Sequence, residues 1–196
     1  MLHFDSLRHR LVSLLQDAQG AALLEFAIAL PLLVVFAVGI YDFSGAFDQK
    51  QKIEQAAQEG AIVAGAQPMS DIVVSNSNPD SLQPVVTAVF NSLLASRVLP
   101  NGTTCTAPGT VSGPAGGLAW TYTISGCPDN LAIVINRGWM CPAPCTATPA
   151  AIGTMITVSY PYHWRFNSVI QLLFPGPSGY AATTLVTESA TVHNQI

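Results

Sequence analysis

The sequence predicts an α+β protein, in which a long N-terminal membrane-spanning helix continues into a domain built around an antiparallel sheet. Three observations predict it. Ala21–Tyr41 is an apolar run whose only formal charge is Glu25. At about 1.5 Å per helical residue it reaches roughly 30 Å, the thickness of a bilayer's hydrocarbon core. Helical periodicity then continues to Gln67 and returns over 82–96, and from Leu118 onward apolar and polar residues alternate with the period of a strand. Helices first and strands after them is an α+β order.

Residues 1–20 read as a leader, 21–41 as the span, 42–67 as its continuation and 68–196 as the α+β domain. The leader is not an ordinary secretory signal, which places basic residues first, an apolar core second and a small-residue cleavage site last. Here Arg8 and Arg10 lie in a segment ending at Asp17-Ala18-Gln19-Gly20, and the apolar core follows the glycine. Cleavage behind Gly20 therefore leaves the helix on the mature chain. Within the span, Pro31 lacks an amide proton and predicts a kink or local melting.

Past the span, Phe43, Ala46, Phe47, Ile53, Ala57, Gly60, Ala61 and Ala64 recur at three- and four-residue steps, with Gln49, Gln51, Gln55 and Glu59 on another face. Gln67-Pro68 ends that helix, because the residue before a proline avoids the helical region. Asp80 or Ser81 is placed to cap a second helix over Leu82–Ser96, which Pro100-Asn101-Gly102 stops. Residues 101–117, rich in Gly, Thr, Ser and Pro, read as a long surface loop. Strands follow at Leu118–Ser125, Leu131–Asn136, Ile152–Tyr162 and Ala181–Val192, with a short helix from Asn167 to Phe174 and a turn at Pro175–Gly179 before the last.

Gly20 with small residues behind it, Glu25 at the fifth position after it, Phe26, and Leu30-Pro31 inside the helix together resemble the type IV prepilins. More closely they resemble the TadE-like minor pseudopilins of the tight-adherence (Flp) pilus system. The Glu25-Phe26 pair resembles the minor pseudopilins, whereas major Flp pilins carry Glu-Tyr and are far shorter. Met155–Tyr162 and Leu185–Glu188 resemble the family's closing strands; residues 68–150 carry no family motif. The resemblance implies a pilin-like domain and cutting by a prepilin peptidase between Gly20 and Ala21. It also implies other pilins and pseudopilins as partners, and residence in a bacterial inner membrane with entry into an extracellular pilus.

In the type IV pilins that this chain resembles, the carboxylate at the position of Glu25 meets the new N-terminal amine of a neighbouring subunit. Glu25 and Phe26 are accordingly the assembly residues. A charge at a bilayer centre costs roughly 2.5–3.5 kcal/mol on insertion scales, so Glu25 needs a reason to be there. The plainer reading is an acid at a helix N-terminus, favoured by the macrodipole by about 0.3–1 kcal/mol and snorkelling to the interface.

Charged residues make up 9% of the chain and hydrophobic ones 49%, too few charges for a typical soluble protein and too many apolar residues for disorder. A net charge of −4 argues against nucleic acid, which needs a basic footprint; membrane lipid is the partner that the apolar run implies. Arg8 and Arg10 before the span balance Lys50 and Lys52 after it, so the positive-inside rule gives no orientation. Cysteines do. Cys105, Cys127, Cys141 and Cys145 all lie on the C-terminal side, as expected where disulfides persist, placing the N-terminus in the cytoplasm and the domain in the periplasm. Three pairings are open, and Cys105 with Cys127 and Cys141 with Cys145 is the favoured one. A zinc site is the competing reading, since Cys141-Pro-Ala-Pro-Cys145 has ligand-like spacing, but the other cysteines are isolated and no His-x-x-x-His stands nearby.

Signatures of catalysis are missing: no nucleophile elbow, no phosphate-cradling loop ending in Lys, no His-Glu-x-x-His. His163 and His193 are far apart, and Tyr160-Pro161-Tyr162-His163-Trp164 reads as a strand end with aromatic packing rather than a ligand site. The expectation is a protein without cofactor, metal or enzymatic activity that joins or primes a filament for surface adhesion. The competing readings are a single-pass anchored periplasmic binding protein that never enters a filament, a secreted factor released by ordinary signal peptidase, and a membrane-tethered enzyme.

Overall fold

The computed structural model describes residues 18–100, 102, 104–115, 117–141, 153–165 and 183–195. The leader up to residue 17, the expected helix Asn167–Phe174, the turn Pro175–Gly179 and Cys145 lie outside the described residues. Two compact units divide the chain, the first containing residues 18–44 and the second containing the described parts of 45–164 and 183–195. Helix α1 (Ala18–Ala66) contributes to both. After it come a single 3-10 turn (Asp80–Leu82), helix α2 (Gln83–Ala95) and strands β1 (Thr110–Ser112), β2 (Ala119–Cys127), β3 (Asp129–Trp139), β4 (Gly153–His163) and β5 (Thr183–His193). The five strands form one antiparallel meander in the order β1-β2-β3-β4-β5.

In the first unit, α1 runs through Pro31 without a break, so the expected local melting does not occur. The proline removes one backbone hydrogen bond, and its neighbours keep the helix going. Side chains all round this stretch are exposed: Leu23 by 71%, Ile28 by 69%, Phe36 by 62% and Ile40 by 71%. A core helix of a soluble domain buries at least one face. Among the described residues this one buries no large apolar side chain between residues 21 and 41, and its length and composition are compatible with a single-pass membrane anchor.

In the second unit, α1 runs antiparallel to β4. Gly45 lies against Tyr162, Gln49 donates to the Pro161 carbonyl at 3.2 Å, Gly60 faces Ile156, and Gly65 meets Val192. The lengths match, since residues 45–66 rise about 33 Å and an eleven-residue strand about 36 Å. The helix buries Ile53, Ala56, Ala57, Ala61 and Ala64, and a methyl group at Gly60 would collide with Val89 of α2. Small residues thus bring three layers together at one point. The sheet gives its other half of the core through alternation. Trp120, Ile135 and Ile156 stand in one cross-strand row and Tyr122, Ile133 and Val158 in the next, all buried. The opposite face carries Thr121, Thr123, Thr157, Ser159, Thr187 and Ser189.

Three expectations need correction. Phe43 and Phe47, placed on the packing stripe of α1, are exposed by 60% and 63%, and the stripe is made by Ile53 and the alanines instead. Neither Asp80 nor Ser81 caps α2 with its side chain. Pro84 in the first turn already lacks a donor, and the Ser81 amide is met by Asp71 Oδ2 at 2.9 Å. Within the loop read at 101–117, Thr110–Ser112 adds a first strand to β2. Helix α2 also ends before Pro100: Arg97 takes a positive φ of 59°, the Arg97 amide donates to the Leu94 carbonyl at 3.1 Å and the Val98 amide to Leu93 at 3.0 Å. That is a Schellman termination with arginine where glycine is usual.

Candidate functional site

The residues singled out at the head of the chain lie on one continuous helix. Gly20 is half-buried, while Ala21, Glu25 and Phe26 are exposed. Ala21 and Glu25, four apart, share a face, and residues at that spacing stand about 5–6 Å from each other at Cβ. A cut before Ala21 would therefore create an amine one turn from the carboxylate on the same helix face. Among the described residues Glu25 has no hydrogen-bond or ion-pair partner, so any opposite charge it meets in hydrocarbon must come from elsewhere.

The cysteines lie at opposite ends of the second unit. Cys105 and Cys127, 22 positions apart, are joined with Sγ atoms 2.10 Å from each other, tying the strand preceding the β2–β3 turn to the loop after α2. Cys141 is also disulfide-bonded; its expected partner Cys145 lies outside the described residues. Both Cys105 and Cys127 are buried, and closing a loop of this size stabilises the fold by about 3 kcal/mol in the chain-entropy model. Replacing both by serine is expected to lower the unfolding free energy of the detergent-solubilised chain by about that amount. An unchanged denaturation midpoint would show that the bond constrains nothing.

Beside this bond the β4 end gathers aromatic rings. Tyr160 donates its hydroxyl to the Cys127 carbonyl, and burial first, then the nearby Asp129, pushes that hydroxyl above the usual tyrosine range, so it remains a donor. Tyr162 and Trp164 meet edge-to-face, with ring centroids 5.1 Å apart at 81°. His163 Nε2 lies 2.6 Å from Asp129 Oδ2. His193, at the far end of β5, is ten ladder positions from the partner of His163, about 33 Å away, so the two histidines do not meet.

Arg137 is a residue that the sequence reading passed over. It is fully buried at the end of β3, where Nη1 donates to the Ala64 carbonyl and, at 3.1 Å, to Thr154 Oγ1, and Nη2 donates to the Gln67 carbonyl at 2.9 Å. Thr154 in turn donates to Asn194 Oδ1. The guanidinium thus donates to two carbonyls at the C-terminus of α1, of which that of Ala64 also accepts from the Gln67 amide at 3.1 Å, and ties them to β3, β4 and the chain after β5. Burial pulls it down to about 10, opposed by the Asp71 carboxylate, so it stays charged at neutral pH. Tyr122, in the same core, is pushed up to about 12 by burial, then by Asp71 and Asp80.

Among the described residues no three His, Cys, Asp or Glu side chains gather as a metal-sized group. The geometry is that of an exposed apolar helix bearing one carboxylate, joined to a disulfide-bonded domain. No curated protein and no solved structure matches the chain. Residues 20–61, which hold Glu25 and the first packed turns of the domain, match the family model described as TadE-like protein, so this part of the chain is similar to that family, consistent with a protein of the tight-adherence pilus system.

Proposed function

We propose that this protein is a non-enzymatic minor pseudopilin that a prepilin peptidase matures between Gly20 and Ala21 and that then joins or primes a tight-adherence pilus. The observation that carries the reading is Glu25: one exposed carboxylate in an otherwise uncharged and unburied stretch, five positions behind Gly20 and inside the segment that matches the TadE-like family. Its partners are the peptidase, other pilins and pseudopilins of the assembly machinery, and membrane lipid. The N-terminus faces the cytoplasm, and the disulfide-bonded domain stands in the periplasm, where such bonds persist.

Mass spectrometry of the mature N-terminus tests the processing step. The chain is expected to begin at Ala21, and Gly20→Phe is expected to leave the full-length precursor in the membrane. A mature protein that begins at Met1, or well after Tyr41, would contradict the reading.

A further inference from the structure

We propose that the end of the sheet carrying Tyr162 and Trp164 is a second membrane contact, an aromatic collar seated in the headgroup–acyl boundary of the bilayer that α1 crosses. This rests on Ala21–Tyr41 being a membrane span. Gly45 follows Tyr41 by four residues, so in any conformation it lies within about 14 Å of the end of the span. The interfacial layer adds about 5–8 Å on each side of the hydrocarbon. A Cβ on Gly45 would stand 2.6 Å from the Tyr162 hydroxyl oxygen, so the end of β4 lies directly against this point of the helix.

Three features suit that end to the boundary layer. First, its rings are amphipathic: Trp164 packs edge-to-face on Tyr162 and donates its indole N–H to Thr184 Oγ1 at 2.6 Å. Rings with an apolar body and a satisfied polar tip are what membrane interfaces collect. Second, apolar side chains flank them in the open. Phe47 is 63% exposed, and Leu185, paired with Pro161 near the same strand ends, is 64% exposed. Third, two acidic residues near this end have partners within the chain, Asp48 with Lys52 at 2.6 Å and Asp129 Oδ2 with the His163 ring nitrogen at 2.6 Å, while Arg165 beside Trp164 is exposed. Paired charges cost less to bring to a layer of lower dielectric than lone ones.

The chain's three tryptophans make the test direct. Trp120 is fully buried, and Trp139 lies at the opposite end of the sheet, about 33 Å from Trp164. The full chain is reconstituted in phosphatidylcholine nanodiscs, and its tryptophan emission is compared with that in discs whose lipid is brominated near the headgroup end of the acyl chains. Quenching is expected in the wild type, with loss of the quenched component in Trp164→Phe and its retention in Trp139→Phe. Two results overturn the collar: no quenching in a protein that resists carbonate extraction, or quenching that survives Trp164→Phe. A protein that carbonate strips from the membrane would instead overturn the span, and the collar with it.

Discussion

Replacing Glu25 by Gln or Ala is expected to weaken association with neighbouring pilins by about 2 kcal/mol or more, roughly 30-fold in affinity, and so to remove pilus-dependent adherence. Processing at Gly20 would leave on Ala21 an amine of the class that is mostly a cation in water at neutral pH. In hydrocarbon neither that cation nor the Glu25 carboxylate is easily desolvated alone, and on the proposed reading each would be answered by the other on an adjacent subunit. On that reading filament entry would depend on prior cutting, because in an uncut chain the Ala21 nitrogen is a neutral peptide N–H. An i, i+4 pair within one helix competes with this contact, but at the spacing of Ala21 and Glu25 such pairs contribute only about 0.2–0.5 kcal/mol. Copurification with other pilins and an adherence assay read the loss; carbonate extraction and the Cys105–Cys127 bond serve as controls for insertion and folding. The Gln variant separates charge from shape. Normal assembly in both variants would reduce Glu25 to a helix-end residue and remove the physical support for the filament reading.

Glu25 was legible because its cost is local: one charge among some twenty apolar neighbours stands out without knowledge of the fold. The same holds for β2 and β4, whose alternation is written residue by residue and is matched by the burial of Trp120, Tyr122, Ile156 and Val158. What escaped depends on distant chain. The three residues of β1 are too few to show a period, and they become a strand only because β2 offers an edge. Phe47 fits the helical stripe as well as Ile53 does, yet only Ile53 meets the sheet. The acceptor for the Ser81 amide comes from Asp71, ten positions upstream, where no local capping rule looks. Arg137 is the extreme case. In the sequence it is one arginine after an apolar strand, and its acceptors exist only because a helix 73 residues earlier ends beside it.

Arg137→Met is expected to destabilise the second unit by about 3–5 kcal/mol, the cost of breaking a buried, hydrogen-bonded charge, and to lower its melting temperature by about 10 °C. Methionine fills similar space, so the loss isolates the hydrogen bonds from packing. What remains in the variant is the Gln67 carbonyl without the guanidinium donor, the Ala64 carbonyl with only the Gln67 amide, and Thr154 without the guanidinium. Each orphaned group costs about 1–3 kcal/mol. The opposing effect is relief of desolvation, which already pulls the guanidinium down to about 10. Replacing a buried charge together with its partners by apolar groups can be neutral, but here the partners are backbone carbonyls that no side-chain substitution removes. Arg137→Lys keeps the charge and can place a single ammonium between the carbonyls, so it should fall between wild type and Arg137→Met. Thermal denaturation of the detergent-solubilised full chain measures all three. A methionine variant as stable as wild type would mean that water satisfies the helix end, and that Arg137 does not hold α1 to the sheet.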